Sequence, residues 1–254
     1  MKILVLGGKG KSTRAVVNAL SGRYENLAVV LENGTKRSAF LKKRIKRYGL
    51  RTVLGQILFS MIVPRILNYT GKKRISEIIE EYNLDYTDRF GDLSEVYNVE
   101  SINDPETIEI IKRYIPDIVI VNGTRIISKT VLDATTCPVI NMHVGITPKY
   151  RGVHGGYWAM ANEDPENCGV TIHHVDQGVD TGSVIAQKKI TVTDKDNYVT
   201  YPLIQTGEGI KLEFQILEEF EKTGRIESHL VDLPSKMWTH PTLLQYLRNF
   251  KKTR

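Results

Sequence analysis

Acidic residues are missing from one long stretch of this 254-residue chain. Residues 33 to 76 contain 12 Lys or Arg and no Asp or Glu. The rest of the chain holds 23 basic and 29 acidic residues, so the formal charge of +6 belongs wholly to that stretch. A local excess of this kind argues against a general nucleic-acid binder, whose basic surface would be broader. Cysteine is scarce too. Cys137 and Cys168 alone cannot make a disulfide framework, and two thiols in a chain of this size are expected to stay reduced, as in a cytoplasmic protein. No uninterrupted apolar run reaches the length of a membrane span. The apolar start is too short for a signal peptide and reads as a first buried strand. What remains is ordinary: 41% hydrophobic and 25% charged residues, as in a soluble protein of one or two domains.

Hydrophobic patterning predicts strands at 2–6, 27–31, 118–121, 139–143, 170–175 and 184–190. Helices are expected near 12–20 with Ser12 or Thr13 as cap, within 36–75, and over 75–82. Further helices are expected over 105–114 with Asp104 as cap, over 126–132 and over 203–222. Strand and helix alternate to about residue 160. The fold class is therefore α/β, Rossmann-like, with a mostly parallel sheet flanked by helices and a basic helical insertion. We divide the chain into a catalytic domain, 1–195, and a helical extension, 196–254.

Glycines cluster where the first strand meets the first helix, at Gly7, Gly8 and Gly10, followed by Lys11 and Ser12. A dinucleotide fingerprint fails there, because its third glycine falls on Thr13. A nucleotide-hydrolase phosphate loop fails as well, because its first glycine falls on Val5. A tight turn without ligand is one remaining reading. A phosphate site made by Gly8, Gly10, Lys11 and Ser12 at a helix start, without nucleotide hydrolysis, is the one we prefer.

The strongest signal lies between 137 and 188. Asn141 and His143 stand two apart at the end of a predicted strand, so both side chains point to one side of the sheet. The carboxyl ends of parallel strands are where open α/β sheets bind ligands. An amide and an imidazole side by side can polarise a carbonyl and stabilise an oxyanion, and Asp180, in an Asp-Thr-Gly turn, can orient the imidazole. Four of the six histidines fall between 143 and 174, which raises the question of a metal. His173 and His174 are strand neighbours facing opposite ways, and no Cys or carboxylate stands at zinc-like spacing, so no metal is expected.

This segment resembles the formyltransferases that use 10-formyltetrahydrofolate, a family that includes enzymes acting on glycinamide ribonucleotide, methionyl-tRNA and sugar nucleotides. The resemblance rests on Asn141-Met142-His143, Pro148-Lys149-Tyr150-Arg151-Gly152, Gly169-Val170-Thr171-Ile172-His173 and Asp180-Thr181-Gly182, and covers about residues 115–190. It implies that Asn141 hydrogen-bonds the formyl oxygen, that His143 stabilises the developing oxyanion and assists proton transfer, and that Asp180 sets the state of His143 and helps remove the amine proton. It implies further that the folate lies against Gly123, Thr124, Arg125, Ile126 and Ile127, and against Val175, Asp176, Gln177 and Val179. Lys149, Tyr150, Arg151 and Gly152 are expected on the substrate side.

Two departures from the family stand out. Gly145-Ile146-Thr147-Pro148 replaces the usual Ser-Leu-Leu-Pro, and the segment 36–75 is inserted. In that insertion Leu54, Ile57, Leu58, Met61, Ile62 and Ile66 recur at helical spacing. It reads as a solvated helix pair, as a grip on a phosphorylated acceptor through 42–47, or as a contact with an anionic membrane surface. After residue 222 about thirty residues remain, too few for a nucleic-acid-binding barrel. The expected acceptor is therefore an amino-sugar nucleotide or a similar small phosphorylated amine, with glycinamide ribonucleotide as the alternative. A non-catalytic folate- or nucleotide-binding module is a further alternative, opposed by the intact trio. No nucleic-acid partner is expected; a membrane surface and a second copy of the chain are the other candidates.

Overall fold

The computed structural model describes residues 1–34 and 37–253. Among the described residues, seven strands form one sheet in the order β3-β2-β1-β4-β5-β7-β8. These are β1 (Ile3–Gly8), β2 (Leu27–Glu32), β3 (Glu95–Val99), β4 (Ile118–Asn122), β5 (Val139–His143), β7 (Gly169–His174) and β8 (Val184–Lys189). β1 pairs in parallel with β2 and β4, β2 with β3, and β4 with β5. β7 then turns antiparallel to β5, and β8 antiparallel to β7. Two short strands, β6 (Arg151–Gly152) and β9 (Met237–Trp238), pair beside the main sheet.

Both faces of the parallel part are covered, as its unbroken apolar strands require. Ile3 and Val5 point toward α1 (Lys11–Ser21) and α8 (Tyr201–Thr223), where Val16, Leu20, Ile216 and Leu217 complete one core. Leu4 and Leu6 point the other way, toward Ile110 and Ile111 of α5 (Pro105–Tyr114). A third cluster lies outside the sheet. It joins α3 (Leu50–Thr70) and α4 (Lys72–Glu81) to α7 (Gly155–Ala161), α8 and α9 (Leu243–Asn249) through Phe59, Ile78, Trp158, Tyr201 and Tyr246.

Several boundaries differ from the expectation. α1 starts at Lys11 on Gly10, so neither Ser12 nor Thr13 caps it; Thr13 is buried and donates to the Asn122 carbonyl at 3.2 Å. The helix expected at 126 begins instead as α6 (Lys129–Asp133), capped by Ser128, and 123–128 stays irregular. The edge strand β3 was not anticipated. Of the inserted segment, 37–75 is described and contains α2 (Arg37–Tyr48), all of α3 and the start of α4. An 18-residue window of the 21-residue α3 has a mean hydropathy of 1.4, so the helix is long and apolar enough to cross a membrane by length and composition. This corrects the expectation that no stretch reaches that length; Arg51, Gln56 and Arg65 interrupt the apolar pattern of α3.

α8 also carries a carboxyl into the core. Glu213 is 1% exposed and its Oε1 has no hydrogen-bond partner. Burial raises its pKa from 4.5 to about 8. Between those values the folded state binds a proton that the unfolded state has released, so stability falls as pH rises through that window. The slope from this one group approaches about 1.4 kcal/mol per pH unit. Glu213→Gln should flatten that part of the stability–pH curve, read by urea unfolding from pH 5 to pH 8. Equal slopes in wild type and variant would show that Glu213 does not titrate across this range.

Candidate active site

The site forms at the carboxyl ends of β4 and β5. The antiparallel register sets Asn141 opposite His173 and His143 opposite Thr171, while Ile140 and Met142 turn into the core. The period-two reading of β5 therefore holds, and the pairing with β7 adds a third polar side chain.

His143 is buried. Its Nε2 lies 2.7 Å from the Tyr150 carbonyl and so carries the hydrogen, since a carbonyl can only accept. Its Nδ1 lies 3.4 Å from Asp180 Oδ2. Both ring nitrogens thus face acceptors, and both are satisfied when the ring is protonated. His173 has a different tautomer. Its Nδ1 donates to the His174 carbonyl at 2.7 Å, which leaves Nε2 to accept from Asn141 Nδ2 at 3.1 Å. One N–H of the Asn141 amide is thereby used and the amide's orientation is fixed.

Asp180 stands between the two imidazoles, with Oδ1 3.8 Å from His173 Nε2. The Gly152 N–H donates to its Oδ2 at 2.8 Å. Burial alone would raise the carboxyl's pKa, but the neighbouring His143 and the Gly152 N–H outweigh it, and the group sits below its ordinary value. It is ionised at neutral pH. Its backbone has φ of +52°, a left-handed conformation that aspartate tolerates better than most residues.

Glycines and one threonine make these approaches possible. A Cβ on Gly145 would come 2.6 Å from His143 Nε2 and 2.4 Å from the Tyr150 carbonyl, so the Gly-Ile-Thr-Pro variant of the loop makes room for their hydrogen bond. Thr171 Oγ1 donates to the Gly145 carbonyl and accepts from the Thr147 N–H and the Gln187 amide, pinning that loop. Gly152 has φ of +93°, and a Cβ there would meet the Trp238 carbonyl at 2.3 Å.

Beside the trio opens a cleft of about 420 Å³. Gly123, Thr124, Arg125, Ile126, Ile127, Val175, Asp176 and Val179 all line it, with Ser12, Gly152 and Gly178; Gln177 does not. The Arg125 guanidinium is held away by Glu32, with Nε to Oε2 at 2.6 Å, and the same carboxylate accepts from the Arg125 and Ile102 N–H groups. Buried Glu32 therefore shapes the 123–127 loop, a role that no spacing rule revealed. Of the expected substrate-side residues, Gly8, Gly10, Lys11, Lys149, Tyr150 and Arg151 do not line the cleft. Lys149 pairs with Asp164 at 2.6 Å. Tyr150 is buried, donates its hydroxyl to Asp164, and reaches the site only through its backbone carbonyl. Arg151 Nη1 donates to the Val179 carbonyl at 3.3 Å and steadies the turn before Asp180. No described residue between 37 and 75 lines the cleft either.

The turn that carries Asp180 is packed against β7 at Gly182, where a Cβ would lie 1.7 Å from the His174 carbonyl. Gly182→Ala must displace backbone and should cost about 1–3 kcal/mol, while Gly91→Ala, which has open space around it, should be near neutral. Thermal melts of the two variants check this. Equal melting temperatures would mean that the turn accommodates a methyl group and that Gly182 does not set the position of Asp180.

Comparison with known proteins supplies the family. The model of the family described as "Formyl transferase" matches residues 1–203. A methionyl-tRNA formyltransferase from Chlorobium chlorochromatii is 35% identical over 102 residues, 40% of this chain and 32% of that protein. The chain spans less than half the length of the curated relatives it matches, and these are methionyl-tRNA formyltransferases. Among solved structures, a 4-N formyltransferase from Francisella tularensis superimposes with a TM-score of 0.57 at 15% identity, covering 93% of this chain and 76% of that one. Phosphoribosylglycinamide formyltransferase from Bacillus halodurans gives 0.55 at 18%, covering 88% and 97%. These two show a shared fold. With the family model spanning both the glycine turn and the Asn141, His143 and Asp180 cluster, the chain belongs to the formyl transferase family.

Proposed function

We propose that this protein transfers a formyl group from 10-formyltetrahydrofolate to the amine of an amino-sugar nucleotide or a similar small phosphorylated amine. The observation that carries the transfer reaction is the convergence of Asn141, His143 and ionised Asp180 at one end of the cleft. The cleft fits a folate donor. Residues 123–127, Val175, Asp176, Gly178 and Val179 border it, with Ile126, Ile127, Val175 and Val179 as apolar walls for a flat ring. When bound, the folate supplies the formyl carbon.

The chain's own groups then have distinct tasks. Asn141 keeps one amide N–H on His173 and has the other for the formyl oxygen as negative charge grows there. His143, held by Asp180 and the Tyr150 carbonyl, sets its ring beside that oxygen. Asp180 is kept ionised and near the reacting amine, where it can take up the proton the amine releases. The phosphate would lie at the start of α1. That helix has Gly10 at its cap position, no side-chain cap and no acid in its first turn, and Ser12 reaches the cleft. Methionyl-tRNA is the second reading for the acceptor, favoured by the identity shared with the curated relatives.

Asn141→Ala, His143→Ala and Asp180→Asn should each lower turnover by a factor on the order of 100 or more while the fold is retained by circular dichroism. His143→Ala and Asp180→Asn combined should lose little beyond either alone, because both act on one developing charge. 5-Formyltetrahydrofolate should raise the melting temperature of the wild type. A folded His143→Ala enzyme with near-normal turnover would overturn the mechanism. Turnover with methionyl-tRNA but with no amino-sugar nucleotide would replace the acceptor and leave the mechanism standing.

A further inference from the structure

A surface helix of a soluble protein carries one apolar stripe, and that stripe faces the core. α3 carries two. Val53, Phe59, Val63 and Leu67 are buried, with Phe59 against Tyr198 and Tyr246 at ring distances of 4.8 and 5.3 Å. On the outside, Leu50, Leu54, Leu58, Met61, Ile62 and Ile66 recur at intervals of three and four and are each 42–56% exposed. Contiguous apolar surface of this kind marks an interaction site.

The charges around the stripe select its occupant. Lys42, Lys43, Lys46 and Arg47 on α2 are exposed, as are Arg51 and Arg65 on α3 itself, and the sequence from 33 to 76 contains no acid to offset them. A second copy packed symmetrically through α3 would bring two such cationic rims together, which is repulsive. An anionic lipid surface satisfies both features, taking apolar side chains into the acyl boundary and cations among the headgroups. Tyr69, at the end of the outward face, has the Lys72 ammonium 5.3 Å over its ring, a pairing suited to the headgroup layer. We propose that the outer face of α3, rimmed by the cations of α2, docks this protein on an anionic membrane surface.

The helix lies on the surface and does not cross it, because its inner face is tied to the protein. Gln56 is buried, and its amide donates to the His240 carbonyl at 2.7 Å and to Thr239 Oγ1 at 3.2 Å. Gly55 brings α3 close to Thr242, where an added Cβ would lie 2.9 Å from the threonine Cβ. Pulling α3 into a bilayer would expose these polar groups to hydrocarbon.

The experiment is co-sedimentation of the full chain with phosphatidylcholine vesicles and with vesicles rich in phosphatidylglycerol. The wild type should bind the anionic vesicles at least about tenfold better than the neutral ones, and salt should weaken the binding. Leu54→Ser/Leu58→Ser/Ile62→Ser removes exposed side chains only, so it should keep the wild-type circular dichroism spectrum and lose vesicle binding. Lys42→Gln/Lys43→Gln/Lys46→Gln should weaken it by about tenfold as well. Absence of wild-type binding, or equal binding to both vesicle types, would overturn the proposal. So would a wild-type dimer in analytical ultracentrifugation that the serine variant dissolves while vesicle binding is absent, since the occupant would then be a second copy.

Discussion

An ionised carboxylate as little exposed as Asp180, at 14%, is costly unless its lone pairs are met. Here the Gly152 N–H donates to it and the His143 ring stands 3.4 Å away, and each is delivered by a different part of the chain. His143 comes from β5, and Gly152 from β6, which is held in place by β9. The requirement to keep that one charge ionised therefore couples the sheet, the 144–152 loop and the C-terminal strand. It also explains the glycines at 145, 152 and 182. Each allows backbone or a ring to come closer than a Cβ would permit.

The arrangement gives the two histidines different jobs. His173 is tied at Nδ1 to a carbonyl, so its Nε2 is an acceptor and fixes the Asn141 amide. His143 has acceptors at both nitrogens. Identical side chains 30 residues apart thus orient an amide donor in one case and stand beside a carboxylate in the other, and local hydrogen bonding decides which.

How far the sequence could be read follows from the range of each interaction. Asn141 and His143 were legible because they share a strand, and their relation is the two-residue period. The parallel strands were legible as continuous apolar runs. β3 was not, since Glu-Val-Tyr-Asn-Val lies at the sheet edge with most of its residues only half-buried. Glu32 was hidden at the end of an apolar strand, because its value lies in contacts with Ile102 and Arg125, far away in sequence. The resemblance names Lys149, Tyr150 and Arg125 as site residues. It could not tell that the Lys149 ammonium turns to Asp164, that Tyr150 contributes its carbonyl, or that the Arg125 guanidinium turns to Glu32.

The same limit applies to the basic insertion, where composition left three readings open. Fold geometry separates them by what borders what. The cleft is walled by the ends of β4 and β5 and by the 175–180 turn, while α3 sits on the cluster of α7, α8 and α9 and α2 packs against α3. Cations placed there have no path to an acceptor in the cleft that the structure shows, which weakens the phosphate-grip reading. A purely solvated helix pair would not present six large apolar side chains outward. The link that remains between α3 and the chemistry is mechanical. Gln56 holds Thr239 and the His240 carbonyl, the adjoining Trp238 pairs with Gly152, and Gly152 donates to Asp180. A helix fixed on a surface would therefore stand one short strand from the residue that holds the Asp180 carboxylate.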